Sequence, residues 1–273
     1  MSGIRRIEHV KARAVGLGAD VTVLDRNPAV LNGLAKRFGG RVRTVFSTKA
    51  ELEETFSEIL GKAFRDPSYG LIFVGFFSCG YQLAFITAHF PAFITEMCGP
   101  IGTDSLLYVL GVTSPSGLGA ISIALIGLFN IGGTLLAGWL GHKYSRKYLL
   151  ATIYLLRTLV SAAFIMAPIT PETVVLFSVS MGSLWLATVP LTSGLVAHIY
   201  GLKYMGTLYG VVFFSHQLGG FLGVWLGGAL YDLYNDYTLV WWVGVGVGAL
   251  SALIHLPVKE FPWSQRGQVP AAT

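Results

Sequence analysis

A short basic segment, residues 138–147, separates two apolar runs that are long enough to cross a membrane. The run before it, residues 118–140, contains no charged residue, and the run after it, residues 149–169, contains only Arg157. Because about 20 helical residues cross the hydrocarbon core of a bilayer, each run can span it. Cations clustered in a short connection are retained on the cytoplasmic side. The segment therefore predicts a transmembrane hairpin with a cytoplasmic turn.

Charge is scarce in this chain and unevenly distributed. Of the 273 residues, 53% are hydrophobic and 12% are charged, whereas soluble domains average about 25% charged residues. Residues 1–70 hold 12 of the 19 Lys and Arg and 8 of the 14 Asp and Glu, and residues 71–256 hold five of each. The net charge of +5 is divided among the N-terminal part, the inner connections and the tail. It therefore does not indicate a nucleic-acid partner.

Six apolar runs occupy most of the chain after residue 70, at 71–94, 118–140, 149–169, 173–199, 205–230 and 239–258. The connections on the side opposite the basic segment carry only acids, Glu96, Asp104, Glu172, Asp232 and Asp236. The other side carries Lys143, Arg146, Lys147, Lys203, Lys259 and Arg266. This asymmetry predicts six spans in the inner cell membrane with both termini cytoplasmic. The expected fold class is an all-α membrane protein with a small, incomplete α/β segment in front, because backbone groups in lipid must pair within helices.

The basic segment resembles a loop signature of the major facilitator superfamily, Gly-x-Leu-(Ala/Gly)-Asp-(Arg/Lys)-x-Gly-(Arg/Lys)-(Arg/Lys). The matching residues are Gly138, Leu140, Gly141, Lys143, Arg146 and Lys147. His142 stands in place of the acid and Ser145 in place of the second glycine. In that family the loop joins the second and third helices of each six-helix half, and its acid helps to lock helix ends in one conformation. The alternative is an ordinary cytoplasmic hairpin of another membrane protein.

Two further stretches resemble the seventh and eleventh helices of the monocarboxylate and oxalate–formate branch of that superfamily. They are residues 76–91, Phe-Phe-Ser-Cys-Gly-Tyr-Gln-Leu-Ala-Phe-Ile-Thr-Ala-His-Phe-Pro, and residues 213–219, Phe-Phe-Ser-His-Gln-Leu-Gly. The resemblance covers residues 65–258 and implies a C-terminal half only. It implies secondary transport of a small organic anion, with protons as a candidate coupling ion, and neither an enzyme activity nor a cofactor. Such a half would need an N-terminal half or a second copy of itself, unless it is a non-functional fusion product.

Arg157 is the residue most suggestive of a site inside the membrane. It lies eight residues after Leu149, on the order of 12 Å from the inner edge at 1.5 Å per residue. An ionised group at that depth costs at least about 2.5–3.5 kcal/mol, so it should face a partner or a cavity. No acid lies at a matching depth in the six runs. We expect an anion site, the alternative being a fixed ion pair or a clamp on backbone carbonyls.

Other polar and small residues fall within the predicted spans. With Arg157, the candidate solute-binding residues are Tyr154, Gln82, Asn130, His216 and Gln217, of which His216 could accept a proton. For each of these the alternative is an interhelical hydrogen bond. Glycines four apart predict close helix approach, at Gly219, Gly223 and Gly227, at Gly206 and Gly210, and at Gly244 and Gly248. Cys79 and Cys98 lack metal-binding or redox spacing, and Cys79 is expected to be a small buried hydrophobe. Trp241, Trp242 and Trp263 are expected to be aromatic anchors at the membrane interface.

Residues 14–55 resemble part of the NAD-binding domain of alanine dehydrogenases and transhydrogenases. The matching text is Gly-Leu-Gly-Ala-Asp-Val-Thr-Val-Leu-Asp-Arg-Asn-Pro at 16–28 and Phe-Gly-Gly-Arg-Val-Arg at 38–43. The resemblance implies that Asp25, at a strand end, would hydrogen-bond the ribose of the nucleotide. The pattern predicts a strand ending at Asp25, a strand at 41–46, and helices at 29–38 and 49–60.

This N-terminal fragment lacks what an NAD site requires. A preceding strand and a glycine-rich turn that opens a helix should meet the pyrophosphate, and neither is recognisable. About 40 residues with two strands also cannot bury a stable core. We therefore expect an incomplete Rossmann fragment at 1–60, a junction at 61–70, a transmembrane half at 71–258 and a cytoplasmic tail at 259–273. The alternatives are a remnant of an NAD-linked enzyme and a membrane adaptor without transport.

Overall fold

The computed structural model describes residues 21–25, 32–33, 36, 42–46, 57–58, 60–202 and 204–262. The chain separates into two compact units, Met1–Lys62 and Ala63–Thr273. In the first unit, β1 (Val21–Asp25) and β2 (Val42–Phe46) pair in parallel, with Asp25 opposite Phe46. Both strands lie where the sequence predicts them. The predicted helices at 29–38 and 49–60 fall mostly outside the described residues.

The second unit is helical, and its described residues include six segments that are long and apolar enough to cross a membrane. This confirms the six predicted spans and the all-α membrane fold class. Its main helices are α1 (Pro67–Met97), α2 (Leu106–Val109), α3 (Pro115–Lys143), α4 (Arg146–Met166), α5 (Pro171–Leu184), α6 (Thr188–Tyr200), α7 (Met205–Tyr234) and α8 (Thr238–His255). The short α2 lies between the first two spans, and α5 and α6 together make the fourth span, Pro171–Tyr200.

Three of the spans begin with a polar residue followed by proline. The Asp66 carboxylate accepts a hydrogen bond from the backbone N–H of Ser68 at 3.0 Å, and Pro67 opens α1. Ser114 precedes Pro115 at the start of α3, and Thr170 precedes Pro171 at the start of α5. The side-chain oxygen satisfies an N–H that has no partner within the helix, and proline needs none at this position. The predicted junction at 61–70 therefore contains the start of the first span, at Pro67.

The basic segment forms a much tighter turn than the sequence suggests. The predicted connection covers residues 141–148, but α3 continues to Lys143 and α4 begins at Arg146, so only Tyr144 and Ser145 remain between them. Lys143 lies in the last turn of α3, where a cation interacts favourably with the carbonyl end of the helix dipole. We call the end of the helix bundle that carries this turn the basic end, and the opposite end the acidic end.

The fourth span is broken, although its apolar run at 173–199 predicts one continuous segment. Helix α5 ends at Leu184 and α6 begins at Thr188. Pro190 lacks the N–H that would otherwise bond to the carbonyl four residues back, that of Leu186. The Asn130 side-chain oxygen accepts a hydrogen bond from the Leu186 N–H at 2.9 Å, which satisfies a backbone group that the break releases.

Helices α1 and α7 pack with their backbones in close contact. A methyl group at Gly219 would lie 2.1 Å from the carbonyl oxygen of Phe77, and one at Gly223 would lie 2.4 Å from that of Tyr81. The predicted close approach at these two glycines is therefore confirmed. It is wrong for Gly206 and Gly210, since no atom outside their own helix lies within 4 Å of a methyl group at either position. A spacing of four residues identifies one face of a helix but does not say which neighbour that face meets.

An aromatic cluster near the acidic end holds α1, α4, α5 and α8 together. Trp241 is only 2% exposed and lies among Phe85, Phe90, Phe93, Phe164 and Phe177. The prediction that Trp241 is an interface anchor is therefore wrong, because α8 directs this ring toward the other helices. The adjacent Trp242 is exposed, and Trp263 lies outside the described residues.

Candidate functional site

Arg157 is a cation enclosed by the helix bundle. Its side chain is 0% exposed, and its Nη1 donates a hydrogen bond to the Cys79 sulfur at 3.5 Å. Nε and Nη2 have no hydrogen-bond partner, and no carboxylate among the described residues forms an ion pair with this guanidinium. The Tyr154 ring centroid lies 5.9 Å from its Cζ, at the limit of a cation–π contact. The positive charge is thus held with one weak hydrogen bond and without neutralisation.

The Cys79 sulfur links Arg157 to the break in the fourth span. It lies 3.2 Å from the hydroxyl oxygen of Thr188, the first residue of α6, and both side chains are fully buried. Because the sulfur accepts from Arg157, its own hydrogen is free to be donated to the Thr188 oxygen. The sequence predicted the burial of Cys79 but missed its polar contacts. It gave no signal for Thr188 either.

A groove of about 360 Å³ runs along the junction of α1, α7 and the break, and it contains two of the predicted site residues. Its lining residues are Gly80, Leu83, Ala84, Thr87, Ala88, Trp185, His216, Gln217, Gly220 and Val224. His216 Nδ1 lies 3.2 Å from Gln217 Oε1. This oxygen can only accept, so Nδ1 carries the proton and the buried Nε2 keeps a lone pair. His216 also interacts with the Cys79 thiol, so the floor of the groove adjoins the surroundings of Arg157.

The other predicted residues divide between the site and the scaffold. Tyr154 is fully buried beside Arg157, its hydroxyl lies near those of Thr188 and Ser251, and its ring stacks on His255 with the centroids 5.0 Å apart. Gln82 donates through Nε2 to the Gly244 carbonyl at 2.9 Å, which leaves its Oε1 unpartnered. Asn130 lies apart from them, at the break, and its oxygen also accepts from the Thr134 hydroxyl at 3.0 Å.

The turn at the basic end is tied down by Glu260, an acid from beyond the last span that the sequence reading missed. One carboxylate oxygen of Glu260 accepts from the backbone N–H of Arg146 at 2.9 Å, and the same oxygen lies 3.5 Å from Arg146 Nη1. The other accepts from the Ser145 hydroxyl at 2.5 Å and the Lys147 N–H at 3.3 Å. Glu260 thus caps the start of α4. Because 115 residues separate it from Ser145, no local pattern could have indicated it.

The remaining residues of the turn signature have unequal roles. A methyl group at Gly141 would lie 2.8 Å from a side-chain carbon of Leu191 on α6, whereas no neighbour lies within 4 Å of one at Gly138. The Lys143 ammonium lies 3.9 Å from the Trp139 ring centroid, which is a cation–π contact. Of this pair of glycines, only Gly141 packs against a neighbouring helix, where an added methyl would displace the end of the Leu191 side chain.

Asp25, the candidate ribose-binding residue, is the last residue of β1. The segment that would have to supply the pyrophosphate site, residues 1–20, lies outside the described residues. The ribose contact of Asp25 therefore stays a prediction.

Six apolar helical segments among the described residues make the second unit a multi-pass membrane domain. The sequence profile of the Major Facilitator Superfamily matches residues 23–224 and 114–269. The uncharacterized MFS-type transporter YcxA of Bacillus subtilis (strain 168) is 30% identical over 196 residues, which are 68% of this chain and 43% of that protein. The chain belongs to the Major Facilitator Superfamily, as the turn residues indicated. It spans less than half the length of this curated relative.

Short matches to dehydrogenases agree with the fragment recognised in the N-terminal part. The alanine dehydrogenase of Halomonas elongata is 49% identical over 51 residues, 19% of this chain and 14% of the enzyme. Alanine dehydrogenase 2 of Staphylococcus aureus (strain USA300) is 55% identical over 40 residues, 15% of this chain and 11% of the enzyme. Each match covers a small part of the enzyme, so the similarity is to one fragment of its sequence.

Proposed function

We propose that this chain takes part in secondary transport of a small organic anion, as the C-terminal six-helix half of a facilitator. The observation that supports this most directly is the Arg157 guanidinium, fully buried, with two nitrogens unpartnered and no ion pair among the described residues. An ionised group inside a membrane costs at least about 2.5–3.5 kcal/mol. An anionic solute would offset that cost by supplying the missing charge.

The solute would approach through the groove that His216 and Gln217 line. From there, His216 adjoins Cys79 and Cys79 adjoins Arg157, so two side chains separate the groove from the buried cation. In this conformation Arg157 is closed off, and alternating access would expose it when α1 and α7 move apart. The buried Tyr154 hydroxyl would be a second donor for the bound anion.

His216 is the candidate proton carrier. Its buried Nε2 keeps a lone pair near the Cys79 thiol, and an imidazole changes its charge near physiological pH. Protonated, the ring would be a second cation facing the same path as Arg157. An anion that passes would then favour proton uptake by His216, which would couple solute and proton movement in one direction.

A complete central site would need a second wall. Helices α1 and α7 form one side of the groove, and the chain spans 43% of the curated transporter. An N-terminal half or a second copy of this chain would close the opposite side. Reconstituted alone, the chain is expected to leave a lactate gradient undisturbed, whereas saturable, proton-dependent uptake would indicate a working homodimer. We place the bundle in the inner cell membrane with its basic end and both termini on the cytoplasmic side.

Binding of lactate and oxalate to the purified full chain tests the anion site directly. Arg157→Lys is expected to keep insertion and expression but to weaken binding at least tenfold, a loss of about 1.4 kcal/mol. The ammonium keeps the charge but cannot present two parallel N–H groups to a carboxylate. Arg65→Lys, an exposed arginine outside the spans, is the matched control. Equal affinities in Arg157→Lys and the parent would exclude Arg157 from the site and leave His216 and Gln217 as candidates.

A further inference from the structure

We propose that Cys79 and Thr188 position Arg157 to receive one carboxylate side-on, through Nε and Nη2, and thereby make the site selective for carboxylates. This inference rests on the proposed anion transport. It assigns two residues that the sequence did not suggest, and it defines how many hydrogen bonds the solute makes.

The position of the sulfur decides which edge of the guanidinium is free. Cys79 Sγ accepts a hydrogen bond from Nη1 of Arg157 at 3.5 Å. The two guanidinium nitrogens without partners are Nε and Nη2. Nε–H and one N–H of Nη2 point the same way along one edge of the planar group. That edge matches the two oxygens of a carboxylate and forms two parallel hydrogen bonds with them. Chloride is a single atom, so it cannot form two parallel hydrogen bonds with this edge as the two oxygens of a carboxylate can.

A thiol suits this task because it orients the arginine without neutralising it. The sulfur is a weak acceptor, so it fixes Nη1 and leaves the positive charge in place. A carboxylate at the same position would form an ion pair with Arg157 and remove the charge that attracts the solute. An alanine would leave a third nitrogen unpartnered and the guanidinium free to tilt.

The Thr188 hydroxyl fixes the position of the Cys79 sulfur, and the break in the fourth span fixes the position of Thr188. The Cys79 sulfur lies 3.2 Å from the Thr188 oxygen, and Thr188 is the first residue after the break. Asn130 supports the break by accepting from the Leu186 N–H at 2.9 Å. The orientation of Arg157 on α4 therefore depends on contacts with α1, α3 and α6. In this arrangement the predicted solute-binding residue Asn130 acts indirectly.

The test compares lactate and chloride binding to the full chain in detergent. Cys79→Ala is expected to weaken lactate binding at least about tenfold and to change chloride binding by less than about twofold, because only lactate needs the aligned edge. Cys79→Ser restores an acceptor at this position and should recover most of the lactate affinity. Thr188→Val, which keeps the shape but removes the hydroxyl, should weaken lactate binding several-fold. Cys98→Ser, a buried cysteine outside the site, is the control.

Each other outcome contradicts one specific claim. Unchanged lactate affinity in Cys79→Ala, with clear binding by the parent, would overturn the positioning role. Equal losses for lactate and chloride, or no recovery in Cys79→Ser, would overturn it as well, because they would indicate a general disturbance of the fold. A parent chain that binds neither lactate nor oxalate would instead count against the proposed function itself.

Discussion

Arg157 is a buried cation whose hydrogen-bond partner is a thiol, and this contact supports the proposed binding role over a purely structural one. Arginines that serve only structure inside membranes are neutralised by an acid or fully bonded to carbonyls. Here one of the three guanidinium nitrogens is bonded, and the partner is the Cys79 sulfur. The energetic cost of this arrangement is reduced only when an anion arrives. The residue is therefore expected to be sensitive to any acid placed beside it.

Cys79→Asp should abolish lactate binding while leaving the protein folded. The introduced carboxylate would lie within ion-pair distance of Arg157, since the sulfur it replaces is 3.5 Å from Nη1. The ion pair would satisfy the guanidinium and supply its counter-charge. Calorimetric titration with lactate and thermal unfolding measure the two effects. Cys79→Asn, which has the same shape without the charge, should retain measurable binding, and lactate binding by Cys79→Asp equal to the parent's would contradict this account.

Two helix pairs hold the bundle by different means. Helices α1 and α7 meet through glycines, so their backbones are in direct contact. Helices α3 and α4 meet at the basic end through a two-residue turn whose second helix is capped by Glu260. The contact between α1 and α7 depends on glycines, which have no side chain. The turn between α3 and α4 depends on the carboxylate of Glu260. Each therefore predicts a different response to mutation.

Gly219→Ala and Gly210→Ala form a matched pair on α7. The added methyl at Gly219 would lie 2.1 Å from the Phe77 carbonyl oxygen, whereas nothing lies within 4 Å of the one at Gly210. Overpacking of this kind costs about 1–3 kcal/mol, so Gly219→Ala should destabilise the protein. Gly210→Ala should be neutral or stabilise it by up to about 1 kcal/mol, because alanine is the better helix former. Unfolding in denaturing detergent compares them, and equal stability of the two variants would refute the proposed helix contact.

Glu260→Gln should weaken the capped turn at the start of α4. The substitution removes the charge that interacts with the helix N-terminus and with Arg146, while the amide can still accept some of the hydrogen bonds. A carboxylate in a partly buried position of this kind contributes up to about 2 kcal/mol. The free energy of unfolding should fall by about 1–2 kcal/mol. Glu172→Gln, an exposed acid in the first turn of α5, should have a smaller effect, and a loss no larger than that of this control would show that the cap contributes little.

At the scale of the whole molecule, charge distribution fixes the expected orientation. The acidic end carries Glu96, Asp104, Glu172, Asp232 and Asp236, and the basic end carries the cations of the Tyr144–Ser145 turn. Lys and Arg near membrane helices remain cytoplasmic, whereas acids have little influence. Both termini should then lie in the cytoplasm, which places the N-terminal unit there too.

Labelling of introduced cysteines in intact cells tests this orientation. In a background without Cys79 and Cys98, a membrane-impermeant thiol reagent should modify Asp104→Cys and Asp236→Cys. It should not modify Ser145→Cys until the cells are permeabilised, because that position lies in the turn at the basic end. Modification of Ser145→Cys in intact cells would reverse the orientation.

The sequence by itself determined the number of spans, the two strands, the place of Arg157 within the third span and the family. These depend on the length and polarity of local segments and on short motifs, which a membrane constrains without reference to the rest of the fold. Local polarity also placed Gln82 and Tyr154 inside the bundle. It could not tell Gly219 from Gly210, because both follow the same spacing.

Only the tertiary structure decided which side chains meet. Cys79 bonds to Arg157 across 78 positions of sequence, the same sulfur reaches Thr188 across 109, and Glu260 reaches Ser145 across 115. Trp241 faces inward because of its neighbours on other helices, and Asn130 reaches the break in the fourth span across 56 positions. In each case the deciding partner is distant in sequence, and packing between helices alone brings the two together. The free edge of Arg157 is accordingly a property of the assembled bundle and of no single segment.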